Sequence, residues 1–121
     1  MARVLLIGDE DNFRILLQSN LECAGHTVRD AGSFAEGQEY LKQVGADVLL
    51  TDLRMPESEF LPPLGHLRAE FPLVKIIVIA TARVDFLAVR MMGVNDVLRQ
   101  PPALDTLLAS VEQALGEENA S

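Results

Sequence analysis

Five short apolar runs alternate along this chain with five stretches of helical spacing, and that alternation restricts it to one class of fold. The first run, Val4-Leu5-Leu6-Ile7, is continuous and branched, as a strand buried on both faces should be. Phe13, Leu16, Leu17, Asn20, Leu21 and Ala24 follow at spacings of three and four, which predicts a helix closed by Gly25. Thr27-Val28 marks a short second strand near a sheet edge. Ser33 and Glu36 form a capping box ahead of a second helix that carries Phe34, Tyr40, Leu41 and Val44. Gly37 is the weak point of that helix. Val48-Leu49-Leu50-Thr51 predicts the third strand, which stops at Asp52. Pro62-Pro63 places the start of the third helix near Pro62, with its end at Glu70. Ile76-Ile77-Val78-Ile79 predicts the fourth strand, Val84 to Met92 a helix closed by Gly93, and Val97-Leu98 a short fifth strand. Leu104, Leu107, Leu108, Val111 and Leu115 form the apolar stripe of a last helix. Strands alternating with helices imply an α/β fold: a (βα)5, doubly wound, five-stranded parallel sheet with right-handed crossovers. Residues 1–116 form one domain in this reading, and 117–121 a polar tail or the start of a linker.

Composition narrows the function classes. A chain of 121 residues buries roughly two-thirds of its unfolded surface, enough for a core without staples. Aromatics make up only 5% and there is no Trp, so that core is aliphatic. The formal net charge of -8 argues against a direct nucleic-acid surface, which needs clustered Lys and Arg. It also disfavours an anionic membrane surface. Cys23 is the single cysteine, which rules out an internal disulfide and a cysteine zinc site. It falls within the first helical pattern and reads as a small buried residue. No apolar run approaches a membrane span, and Met1-Ala2-Arg3 leads straight into the first strand without signal-peptide anatomy. The expected compartment is the cytoplasm.

In a doubly wound sheet, ligands bind beyond the carboxyl ends of the strands, near the point where strand order reverses. The residues just past the strands are therefore the candidates. They are Gly8, Asp9, Glu10 and Asp11 after the first strand, and Asp52 with Arg54 after the third. Thr81 and Ala82 follow the fourth strand, and Gln100 and Pro101 the fifth. Asp9 and Asp52 would bring two carboxylates together, and a hard cation with oxygen ligands would supply the countercharge. A carboxylate is also a competent covalent acceptor of phosphate. The competing reading makes these acids helix caps and loop residues. A nucleotide-binding turn is poorly supported, because Gly8 stands alone without a G-x-G-x-x-G run.

Several segments together resemble the response-regulator receiver family, which is CheY-like in fold. Asp52-Leu53-Arg54-Met55-Pro56 matches that family's D-x-x-M-P, and Ala80-Thr81-Ala82 its Thr/Ser-Ala signature. Gly93 to Pro101 looks like G-A-x-D-Y-x-x-K-P, and Ile7-Gly8-Asp9-Glu10 looks like V-D-D-E. The resemblance runs from about Arg3 to Leu115. It implies a two-component phosphorelay receiver, bacterial and cytoplasmic, in which Asp52 accepts a phosphoryl group from a histidine kinase or phosphotransfer protein. It implies Mg²⁺ bound by Asp9, Asp52 and the Arg54 backbone carbonyl, with Glu10 as an additional ligand. Thr81, Ala82 and Gln100 would meet the phosphoryl group and carry the switch. The Gln100-Pro101 bond would be cis, and Arg54 and Arg83 would occupy positions that tune phosphorylation. Output would pass through the face of the fourth helix, fifth strand and fifth helix, to a second copy or an output partner.

The departures from the pattern set two expectations against each other. Gly8 replaces the first acid, Gln100 the lysine, and Val97 the switch aromatic. Phe60 stands where a loop glycine is common. A Gln amide still donates but carries no charge, and charge-assisted bonds are about twice as strong as neutral ones. The chain is therefore expected to be a receiver with weakened switching. The alternative is a phosphorylation-independent pseudo-receiver that acts as an interaction or dimerisation module. An enzyme is not expected: a carboxylate-nucleophile phosphatase wants a second acid two residues on, where this chain has Arg54.

Overall fold

The computed structural model describes residues 2–8, 11–53, 57–81, 84–100 and 102–116. Its strands are β1 (Arg3–Gly8), β2 (Thr27–Ala31), β3 (Val48–Leu53), β4 (Lys75–Ala80) and β5 (Asp96–Arg99). Its helices are α1 (Asp11–Cys23), α2 (Phe34–Gln43), α3 (Glu57–Glu70), α4 (Phe86–Arg90) and α5 (Leu104–Gly116). All pairings are parallel, in the order β2-β1-β3-β4-β5. The chain leaves β1 toward β2 on one side and then returns to β3 on the other, so the switch point lies between β1 and β3.

Side-chain alternation along the strands divides the core between the two faces of the sheet. Leu6, Leu50, Ile77 and Ile79 pack with Leu17 and Leu21 of α1 and Leu107, Val111 and Ala114 of α5. Leu5, Ile7, Leu49, Ile76 and Val78 pack with Leu41 of α2, Phe60, Leu64 and Leu67 of α3, and Val89 of α4. Both faces are covered, which is why the central strands read as continuous apolar runs.

Three local features depart from the sequence reading. Cys23 is exposed, not buried: it lies two positions past the buried Leu21, about 200° round the helix. The third helix begins at Glu57, one and a half turns before Pro62 and Pro63, which both lie inside it. Those prolines cannot donate to the carbonyls of Ser58 and Glu59, but both residues are exposed to water. Phe60, Leu64 and Leu67 at one face of α3 are buried and anchor the helix across that gap. Phe60 is thus a core residue and not a loop position. The fourth helix is shorter than Val84 to Met92, because Asp85 caps it. Its Oδ1 accepts from the Leu87 and Ala88 amides at 3.0 and 3.2 Å, fixing the start at Phe86.

Glycine explains two other positions. Gly25 has φ 96°, and the Gly25 and His26 amides donate back to the Glu22 and Leu21 carbonyls, a Schellman closure of α1. Gly37 is buried in α2, and a Cβ there would overlap Ile7 Cδ1 and lie 3.0 Å from its Cγ1. The glycine that weakens the helix in sequence is what lets α2 approach β1.

Candidate functional site

Asp52 is the next-to-last residue of β3, paired in register with Gly8 of β1 and Ile79 of β4. It lies on the α1/α5 face, two residues past Leu50. The residue is 4% exposed. A carboxylate so placed must be paired or hydrogen-bonded to be tolerated. One donor is the Gln100 side chain, whose Nε2 donates to Asp52 Oδ1. Gln100 is brought there by β5: its backbone amide extends the β4–β5 ladder by donating to the Ala80 carbonyl at 2.9 Å. It therefore shares the face of Leu98, two residues earlier. Sequence reasoning paired Gln100 with a phosphoryl group; the fold pairs it with Asp52 itself.

Thr81 follows directly on β4 and is partly buried. Leu53 pairs with Ala80, so Thr81 stands one step beyond the end of the β3–β4 ladder. Its carbonyl accepts from the Val84 amide at 3.2 Å, shortly before the start of α4. Arg99 projects away from Gln100, with its guanidinium 5.6 Å from the centre of the Phe86 ring. It is a cation–π partner on the α4 side and no substitute for a lysine at position 100. Val97 is buried among the α4-side residues with Val78, Ala80 and Val89, and has no ring to swing outward.

Asp9, Glu10, Arg54, Ala82, Arg83 and Pro101 lie outside the described residues, and with them the metal ligands beyond Asp52, the cis-peptide expectation and the tuning positions. Among the described residues no group of three His, Cys, Asp or Glu side chains converges as a metal site.

Arg14 is the residue that sequence reasoning missed. Its Nη1 donates to the Gly8 carbonyl at 3.0 Å, and its Nε stands 3.3 Å from Asp30 Oδ2 on β2. The first turns of α1 carry it back over the end of β1. The signal was a lone arginine six residues after the strand-end glycine, at a spacing that shows nothing until the helix is placed.

A family model of the response regulator receiver domain matches residues 4–112, and the chain belongs to that family. It is 31% identical over 115 residues to the DNA-binding transcriptional regulator NtrC of Escherichia coli K12, covering 93% of this chain and 24% of that protein. It is 35% identical over 81 residues to the sensor kinase CckA of Brucella abortus, covering 65% of this chain and 9% of that protein. A receiver domain crystal structure from Clostridium thermocellum superposes with a TM-score of 0.86 at 23% identity, covering 96% and 95% of the two chains. The chain spans about a quarter of the length of the NtrC it matches. This chain is thus a receiver domain of the two-component kind. Among the described residues no helix is long and apolar enough to cross a membrane.

Proposed function

We propose that Asp52 accepts a phosphoryl group from a histidine kinase or phosphotransfer protein, and that the resulting switch is weak. The observation that carries this is the buried Asp52 carboxylate at the carboxyl end of β3, at the switch point of the sheet, held by Gln100. Receivers generally use Mg²⁺ in such a pocket. That ion takes one or two carboxylates plus phosphate oxygens and waters, so Asp52 with Asp9 suffices, Glu10 and the Arg54 carbonyl adding to the set. When bound, the metal would neutralise charge on the incoming group. Gln100 contributes a neutral donor only, and Thr81, with Ala82 after it, supplies a hydroxyl just past the end of β4, the strand paired beside Asp52. The domain passes a signal by this reading and is not an enzyme with a substrate of its own. The relatives named above are bacterial proteins, and a bacterial cytoplasm is the setting proposed here.

The decisive measurement is intact mass after incubation with acetyl phosphate and Mg²⁺. A phosphoryl gain is expected in the wild type, dependent on Mg²⁺ and lost in Asp52→Asn. The Gln100–Asp52 bond favours a second reading, because the amide already occupies one carboxylate oxygen. In that reading the domain docks or dimerises without phosphorylation, through α4, β5 and α5, where Leu87, Met91 and Leu104 are exposed. If neither kinase nor acetyl phosphate labels the wild type, while a partner still binds Asp52→Asn, the second reading replaces the first.

A further inference from the structure

Gly8 leaves a gap that two chemically interesting side chains share. A Cβ built on Gly8 would stand 3.6 Å from Asp52 Cβ and 4.0 Å from Arg14 Cδ. Asp52 and the Arg14 stem therefore flank the same small space, at the carboxyl edge of β1 and β3. Arg14 does not wave in solvent there. Its side chain is 19% exposed, its Nη1 holds the Gly8 carbonyl, and Asp30 pairs with its Nε.

A phosphoryl group on Asp52 would put up to two negative charges at this edge in place of the single carboxylate charge, and Gln100 can answer them only with a neutral dipole. We propose that Arg14 supplies the missing positive charge, binding a phosphoryl oxygen across the gap left by Gly8. This inference rests on the reading of Asp52 as phosphoacceptor. In the transfer from acetyl phosphate, a carboxylate oxygen of Asp52 attacks phosphorus. The new O–P bond forms as the donor's P–O bond breaks, and acetate leaves. Arg14 exchanges its bond to the neutral Gly8 carbonyl for a bond to an anionic phosphoryl oxygen, and bonds of that charge-assisted kind are the stronger. A side chain at position 8 would fill the space through which the two meet, so the glycine and the arginine act together. Asp30 keeps the guanidinium at the edge of the sheet in the unphosphorylated protein.

The test follows the full chain with acetyl phosphate and Mg²⁺, reading the initial labelling rate by intact mass and beryllofluoride affinity from amide chemical shifts. All proteins are compared below their melting transitions. Arg14→Ala is expected to reduce both the rate and the affinity about tenfold, the loss of one hydrogen bond to a charged group. Arg14→Lys should recover part of that loss. Arg14→Gln, which keeps a donor near Gly8 without the charge, should resemble Arg14→Ala, and it serves where the alanine variant fails to fold. Arg99→Ala should match the wild type. A purely structural Arg14 would lower the melting temperature and leave rate and affinity unchanged, and that result overturns the inference while leaving Asp52 as acceptor. If the wild type neither labels nor binds beryllofluoride, the phosphoacceptor reading fails and takes the Arg14 inference with it.

Discussion

Thr51 and Asp52 are neighbours on β3 with opposite fates. Asp52 faces the α1/α5 side and is hydrogen-bonded by Gln100. Thr51 faces the other side, between Ile7 and Val78 in register, and its Oγ1 is buried with no hydrogen-bond partner in the described structure. A buried hydroxyl left unpaired costs about 1–3 kcal/mol. Thr51→Val keeps the shape and removes the polar atom, and it does not touch the Asp52 face. It is expected to stabilise the fold by about 1 kcal/mol, raising Tm by roughly 4 °C in a thermal melt followed by circular dichroism. A lower Tm would mean that the hydroxyl finds a partner in solution.

At the scale of elements, the close contact between α2 and β1 rests on Gly37. Alanine is the better helix former by about 1 kcal/mol, yet its Cβ would overlap Ile7 Cδ1. Ile7 is itself buried and has little room to yield, and overpacking costs about 1–3 kcal/mol. Gly37→Ala should therefore destabilise by on the order of 1 kcal/mol net of its propensity gain. Ile7→Val removes Cδ1 and should cost about 1 kcal/mol alone. Combined, the two should be more stable than their sum, because the valine opens the space the alanine needs. Urea unfolding of the four proteins measures that coupling; strict additivity would show that α2 moves instead. The same scale explains α3, whose two internal prolines are tolerated because Phe60, Leu64 and Leu67 hold it to the core.

For the molecule as a whole, the question is how far a phosphoryl group at β3 is felt at α4 and β5. A ligand shifts a conformational equilibrium only by its differential affinity for the two states. Here the proposed cation, Arg14, lies on the β1/β2 side, so its binding energy is released away from α4. Val97 offers no ring to relocate. Asp96 braces the face formed by α4, β5 and α5, with Arg90 of α4 3.2 Å from its Oδ1 and the Ser110 hydroxyl of α5 donating to its Oδ2 at 2.7 Å. Beryllofluoride is therefore expected to shift amide resonances near Gly8 and Asp52 and to leave Val84 to Arg99 largely in place. Large shifts throughout Val84 to Arg99 would contradict this account of a weak switch.

The order of elements, the parallel sheet and the place of Asp52 at a strand end were legible in the sequence, because each is written in local periodicity. Runs such as Val4 to Ile7 report burial on both faces, and the glycines after α1 and α4 report where helices close. What lay out of reach depended on contacts between distant segments. Cys23 is exposed because of its angle to Leu21 once α1 is docked, and α3 starts before its prolines because Phe60 has a core to enter. Gln100 bonds Asp52 across 48 residues of chain. Arg14 meets Gly8 only where α1 folds back over β1. Local pattern fixes which elements form and which ends carry chemistry; only the packed sheet decides which charges face one another, because charge pairing depends on distance through space and not along the chain.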